Sequence, residues 1–211
     1  MKMRMKSCNT SITKESLNEL PHEYYPGSIY VIDTVAMMHK AMVFLNQQKI
    51  VGIDTETRPV FTKGKTNKVA LLQVSNEDVC FLFRLNHVGF TKEMVDFFRN
   101  PEITKIGLSL KDDFLMLRAR CSSLEPRGFI DLQDYVRAFG VEDSSLQKIY
   151  AILFGKKISK SQRLSNWEAE QLTTAQQNYA SLDAYACLKI YNELNSGNVV
   201  FLPKNEEVEI E

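Results

Sequence analysis

The stretch Ile50-Val51-Gly52-Ile53-Asp54-Thr55-Glu56-Thr57 limits the possible folds more than any other, because an apolar run suited to a buried strand ends in two acids one residue apart. On a strand, residues two apart share a face, so Asp54 and Glu56 project side by side from the end of an interior element. Carboxylates held that close repel each other unless a cation stands between them, and a divalent metal is the usual one. The same pattern also fits a strand whose last residues face solvent. The pair therefore needs partners elsewhere in the chain.

With 211 residues, the chain holds one domain with or without tails, and enough apolar residues for a sizeable core. Hydrophobic residues at 44% and charged residues at 25% are those of an ordinary globular protein. No apolar run approaches the roughly 20 residues that cross a bilayer. Met1-Lys2-Met3-Arg4-Met5-Lys6 lacks the apolar stretch of a secretory signal. Cys8, Cys80, Cys121 and Cys187 show neither metal-ligand spacing nor a disulfide framework, so reduced thiols and a cytoplasmic location are expected.

Lysines and arginines number 26 and acids 26, so net charge predicts no polyanion partner. Distribution says more. Lys63, Lys65 and Lys68 follow the acidic strand, and Lys156, Lys157, Lys160 and Arg163 form a second cluster. Each also reads as a solvated loop, but two basic loops near a carboxylate site suit a phosphate backbone.

Pro21 and Pro26 interrupt residues 1–30, which read as a loosely packed arm. Asp33 or Thr34 caps a helix carrying Val35, Met38, Met42 and Leu45. Strands at 49–55, 69–75 and 79–83 then form an antiparallel meander. Further on, Thr91 opens a helix, 103–108 is a short strand, Asp112 or Asp113 begins a helix, and 129–132 is a strand leading into another. Ser144 or Ser145 caps a helix that Gly155 ends. The last helix runs from about 175 to 194, with Thr173 and Thr174 each three residues before a glutamine, as in a capping box. This order predicts an α/β fold with a mixed sheet flanked by helices.

On the last helix Tyr179 and Asp183 lie four residues apart and share a face. A third element, Lys105-Ile106-Gly107-Leu108-Ser109-Leu110-Lys111-Asp112-Asp113, turns from strand to helix. The helix dipole accounts for one of its two aspartates, and the other is free to reach a site at the strand edge.

The ordered set Asp54-x-Glu56, Asp113, Tyr179-x-x-x-Asp183 resembles the DEDDy 3′-5′ exonucleases of the ribonuclease H-like superfamily. That group includes ribonuclease D, the exonuclease domain of the Werner syndrome helicase and the proofreading domain of family A DNA polymerases. The resemblance covers about residues 30–195. Laying its Lys-hydrophobic-Gly-x-x-hydrophobic-x-x-Asp pattern on Lys105, Ile106, Gly107 and Leu110 favours Asp113 over Asp112. Ser165-Asn166-Trp167 is similar to the segment before the last motif in ribonuclease D-like proteins, although Glu170-Gln171 stand where those often carry Arg-Pro.

The resemblance implies a ribonuclease H-like sheet of five or six strands. It divides the chain into an N-terminal arm at 1–30, an exonuclease domain at 31–195 and a C-terminal tail at 196–211, whose acidic end frays. It implies two Mg2+ or Mn2+ ions roughly 4 Å apart, held by Asp54, Glu56, Asp113 and Asp183. Asp54 bridges them, Glu56 and Asp183 bind one, and Asp113 holds the second. Tyr179 orients the attacking water. Nucleic acid, as DNA or RNA 3′ ends, is the expected partner, gripped through Thr55 and the two basic loops. Trp167 reads as a core anchor or as a platform for a terminal base. An inactive adaptor with the same fold, unable to bind metal, is the competing expectation, and a ribonuclease H-like endonuclease active on circles is a third.

Overall fold

The computed structural model describes residues 5–202, so the acidic end expected to fray lies outside them. Among the described residues sixteen α-helices and β-strands follow one another. They are β1 (Lys6–Cys8), α1 (Lys14–Glu19), β2 (Ser28–Ile32), α2 (Val35–Leu45), β3 (Ile50–Thr57), β4 (Val69–Ser75), β5 (Val79–Arg84) and α3 (Leu85–Val88). Then come α4 (Lys92–Arg99), β6 (Thr104–Gly107), α5 (Leu110–Arg118), β7 (Phe129–Asp131), α6 (Leu132–Tyr135), α7 (Leu146–Phe154), α8 (Thr174–Asn195) and β8 (Val199–Phe201).

Six strands form one mixed sheet in the order β2-β5-β4-β3-β6-β7, matching the expected ribonuclease H-like layout. The meander is antiparallel, with Asp54 opposite Gln73 and Glu56 opposite Leu71, and β6 adds in parallel beyond β3. Every residue of β4 is buried, as befits a strand covered on both faces. One apolar core, with Leu71, Leu82, Tyr150, Trp167, Ala180 and Ile190, lies on the side of α7 and α8. The other, with Met38, Leu72, Phe83, Phe97 and Phe98, packs against α2, α4 and α5.

Residues 5–30 are not a loose arm. β1 pairs in parallel with β8, β2 adds to the sheet beside β5, and Cys8, Leu17 and Tyr25 are buried. The two prolines interrupt regular structure without preventing short elements between them, and the pairing partners of β1 and β2 are distant in sequence.

The helix carrying Asp113 starts at Leu110, earlier than the aspartates suggested. Its cap comes from another element: the Asp131 carboxylate accepts the backbone N–H groups of Ser109 at 3.0 Å and Leu110 at 2.8 Å. Ser109 takes a left-handed backbone, φ 62°, to make the turn.

Candidate active site

Two parts of the chain 130 residues apart meet because α8 lies directly on β3. At Gly52 an added Cβ would come within 1.9 Å of the Ala184 carbonyl oxygen, so only glycine allows this approach. The helix has a fixed start: Thr173 and Gln176 form the full capping box, and Gln176 also donates to the Asn166 carbonyl at 3.1 Å. Asp183 is thereby set against the end of β3. One carboxylate oxygen from each of Asp54, Glu56 and Asp183 lies within 4.8 Å of the others.

The fourth acid enters across the sheet edge. Asp113 accepts a hydrogen bond from the Thr55 hydroxyl at 2.5 Å, and its charge is felt by both Asp54 and Glu56. Asp112 is exposed. The hydroxyl of Thr55, a residue expected to contact substrate, donates to this acid.

Burial, then the charges of Asp183, Asp113 and Glu56, push Asp54 well above the usual carboxylate range. Burial and the charges of Asp183 and Asp113 raise Glu56 to about 9, which Arg163 moderates. Asp183 is raised to about 7 by burial, despite a hydrogen bond from Tyr179 and the charge of Lys160. Asp113 is raised to about 6, chiefly by burial, with the Thr55 hydrogen bond opposing it. The phenol of Tyr179 is driven far above its ordinary value by burial and the acids around it, so it stays a donor.

Four anions gathered without an internal cation are costly to ionise together. All the donors are hard oxygens, the set that magnesium and manganese prefer. The cluster therefore fits divalent cations. Beside it opens a cleft of about 280 Å³ lined by Ser109, Gln147, Lys160, Arg163, Tyr179 and Asp183.

The basic clusters divide. Lys160 and Arg163 face the acids, whereas Lys156 pairs with Glu23 at 3.0 Å and Lys157 donates to the Asn18 carbonyl. Lys63, Lys65 and Lys68 are exposed, and among the described residues they pair with none of the acids. Trp167 is a core anchor, 1% exposed, with its ring 5.9 Å from that of Tyr179.

Two residues that shape the site went unread in the sequence. Asp131 caps α5 and, by accepting from Gln133 N–H at 3.0 Å, α6 as well. An acid closing a strand just before a helix is a cap signal that was available. Arg84, buried on β5, donates to the carbonyls of Ala169 and Glu170 and so fixes the segment entering α8. No local pattern marks that long-range contact.

The sequence model of a 3′-5′ exonuclease domain matches residues 29–197. The murine bifunctional 3′-5′ exonuclease/ATP-dependent helicase WRN is 31% identical over an alignment taking in 98% of this chain and 16% of that protein. Ribonuclease D of Haemophilus influenzae is 29% identical, covering 78% of this chain and 40% of its own length. The chain thus spans well under half of these relatives. Among solved structures, the Nibbler EXO domain of Aedes aegypti superposes with a TM-score of 0.70 at 22% identity, over 82% of this chain and 91% of that one.

Proposed function

The chain belongs to the 3′-5′ exonuclease family, and on that premise we propose that it hydrolyses phosphodiester bonds from the 3′ end of DNA or RNA, releasing nucleoside 5′-monophosphates. The observation that carries this reading is the gathering of Asp54, Glu56 and Asp183 within 4.8 Å, with Asp113 and Tyr179 adjoining. The catalytic domain takes in residues 31–195.

Asp54, Glu56, Asp113 and Asp183 would hold two divalent cations, Mg2+ or Mn2+. Bound there, the ions supply Lewis-acid activation of water and neutralisation of the leaving oxygen. The protein's own groups do the rest. Thr55 pins the Asp113 carboxylate. Tyr179, held protonated, donates to Asp183 and keeps its phenol oxygen at the site, where it would orient the attacking water. Lys160 and Arg163 offer positive charge to the phosphates on the rim of the cleft. The exposed Lys63, Lys65 and Lys68 would extend that grip along the strand.

No helix among the described residues is long and apolar enough to cross a membrane. Four free cysteines support a reducing, cytoplasmic setting.

The test is release of labelled mononucleotides from single strands in the presence of manganese. Wild-type protein should produce them and Asp54→Ala should not, and a closed circle should resist both. Activity that survives Asp54→Ala, or cleavage of the circle, would overturn the assignment.

A further inference from the structure

Between Gly155, which ends α7, and Thr173, which caps α8, the chain runs 17 residues without a helix or strand of its own. Stretches that long and irregular inside a compact domain are uncommon and usually functional. This one carries Lys160 and Arg163, the two cations facing the acids. Its C-terminal side is well fixed: Gln176 takes the Asn166 carbonyl, Trp167 is buried, and Arg84 takes the carbonyls of Ala169 and Glu170. From Ser159 to Ser165 the described hydrogen bonds are internal turns only. The position of the two cations therefore depends on the other anchor.

That anchor is the N-terminal segment. Glu23 N–H donates to the Lys157 carbonyl and Lys157 N–H to the Pro21 carbonyl, each at 2.9 Å, an isolated bridge of parallel sheet. Gln147 holds the next carbonyl, that of Ile158, at 2.5 Å. Glu23 locks the bridge in place. Its side chain is 11% exposed and accepts from the Tyr150 hydroxyl at 2.7 Å, Lys156 Nζ at 3.0 Å and Lys189 Nζ at 3.3 Å. Lys189 in turn donates to the Tyr150 hydroxyl at 2.8 Å and sits over the Phe154 ring at 4.7 Å. One carboxylate thus ties residues 21–25 to α7, α8 and the start of the loop.

We propose that Glu23 is a positioning residue for nucleic-acid binding, clamping the N-terminal segment against Lys157 so that Lys160 and Arg163 stay over the carboxylate cluster. The proposal rests on the exonuclease reading of that cluster. Charge-assisted hydrogen bonds that converge on one largely covered carboxylate hold geometry better than isolated exposed pairs. Burial alone would raise Glu23, yet the donors from Tyr150 and Lys156 bring it down to about 2, so the clamp is closed across the physiological range.

Glu23→Gln keeps the size and removes the charge. It should raise KM for a labelled 3′ strand about fivefold to tenfold, the scale of losing hydrogen bonds to a charged group, with kcat within about twofold. Backbone amides at 157–163 should exchange faster with solvent. Tyr150→Phe should move both readouts the same way and less far. In a Lys160→Ala/Arg163→Ala background, Glu23→Gln should leave KM unchanged. An unchanged exchange rate at 157–163, or a KM effect that persists without the two cations, would overturn the clamp. Exchange reads the clamp even in a protein that hydrolyses nothing, so that result would break the exonuclease reading alone.

Discussion

Glu23 and Asp183 are both largely buried acids, and they ionise in opposite directions. Glu23 is met by a phenol and two ammonium groups and stays an anion down to about pH 2. Asp183 is met by a phenol, by the charge of Lys160 and by the carboxylates of Asp54 and Glu56, and its burial raises it to about 7. Burial raises both, but Asp183 lies deeper and its burial prevails, whereas at Glu23 the donors overcome it. The first acid is satisfied by the protein itself and serves to hold it together. The second belongs to a group that Lys160 and Arg163 do not bring back to the ordinary carboxylate range, the setting a divalent cation would suit.

The contrast breaks most sharply on activity. Asp183→Asn should cut mononucleotide release on the order of 10³-fold while leaving the metal-free melting temperature no lower, because it relieves repulsion. A large fall in that temperature would mean that the cluster is structural after all. Tyr179→Phe removes only a hydrogen bond to the cluster and should lower kcat about 10–100-fold, measured on the same labelled strand.

Next in size is the response to cations. At a hundredfold excess over Kd, manganese should stabilise the native chain by about 2.7 kcal/mol, a rise of roughly 5–10 °C followed by calorimetry. Glu23→Leu, by contrast, should cost about 1–3 kcal/mol with or without metal, since it strips Lys189 and Tyr150 of their acceptor. Were manganese to rescue that loss, the two regions would not be separate.

The smallest effect is a pair of opposed pH slopes in metal-free protein. The cluster acids are raised above their unfolded values near 4, to about 6 for Asp113, 7 for Asp183 and 9 for Glu56. The native chain therefore holds extra protons, and this contribution to stability falls as pH rises from about 4 through 9. Glu23 is lowered, so its contribution is complete above about pH 4 and is lost as pH falls towards 2. Denaturant titrations across that range, with Glu23→Gln and Asp183→Asn beside wild type, separate the two slopes.

The sequence was legible where the chemistry is local. The alternation around Asp54, the capping box at Thr173 and the four-residue spacing of Tyr179 and Asp183 each follow from one element's own geometry. It was illegible where a contact joins distant segments. β1 has three residues and exists by pairing with β8, α5 is capped by Asp131, 21 residues beyond Leu110, and Lys156 turns from the site because Glu23 takes it. Positive charge along a loop says nothing about which cation faces which acid.

The close seat of α8 on β3 at Gly52 also sets an order of assembly. Asp54, Glu56 and Asp113 are synthesised well before residue 174, but the three-carboxylate cluster needs Asp183 from α8. Domains fold as units, and α8 supplies part of the core packed on the sheet, so a growing chain completes neither that core nor the acid cluster before this helix emerges. The acid cluster is complete only when the last helix is, and a missing methyl group on β3 is what leaves room for the helix that closes it.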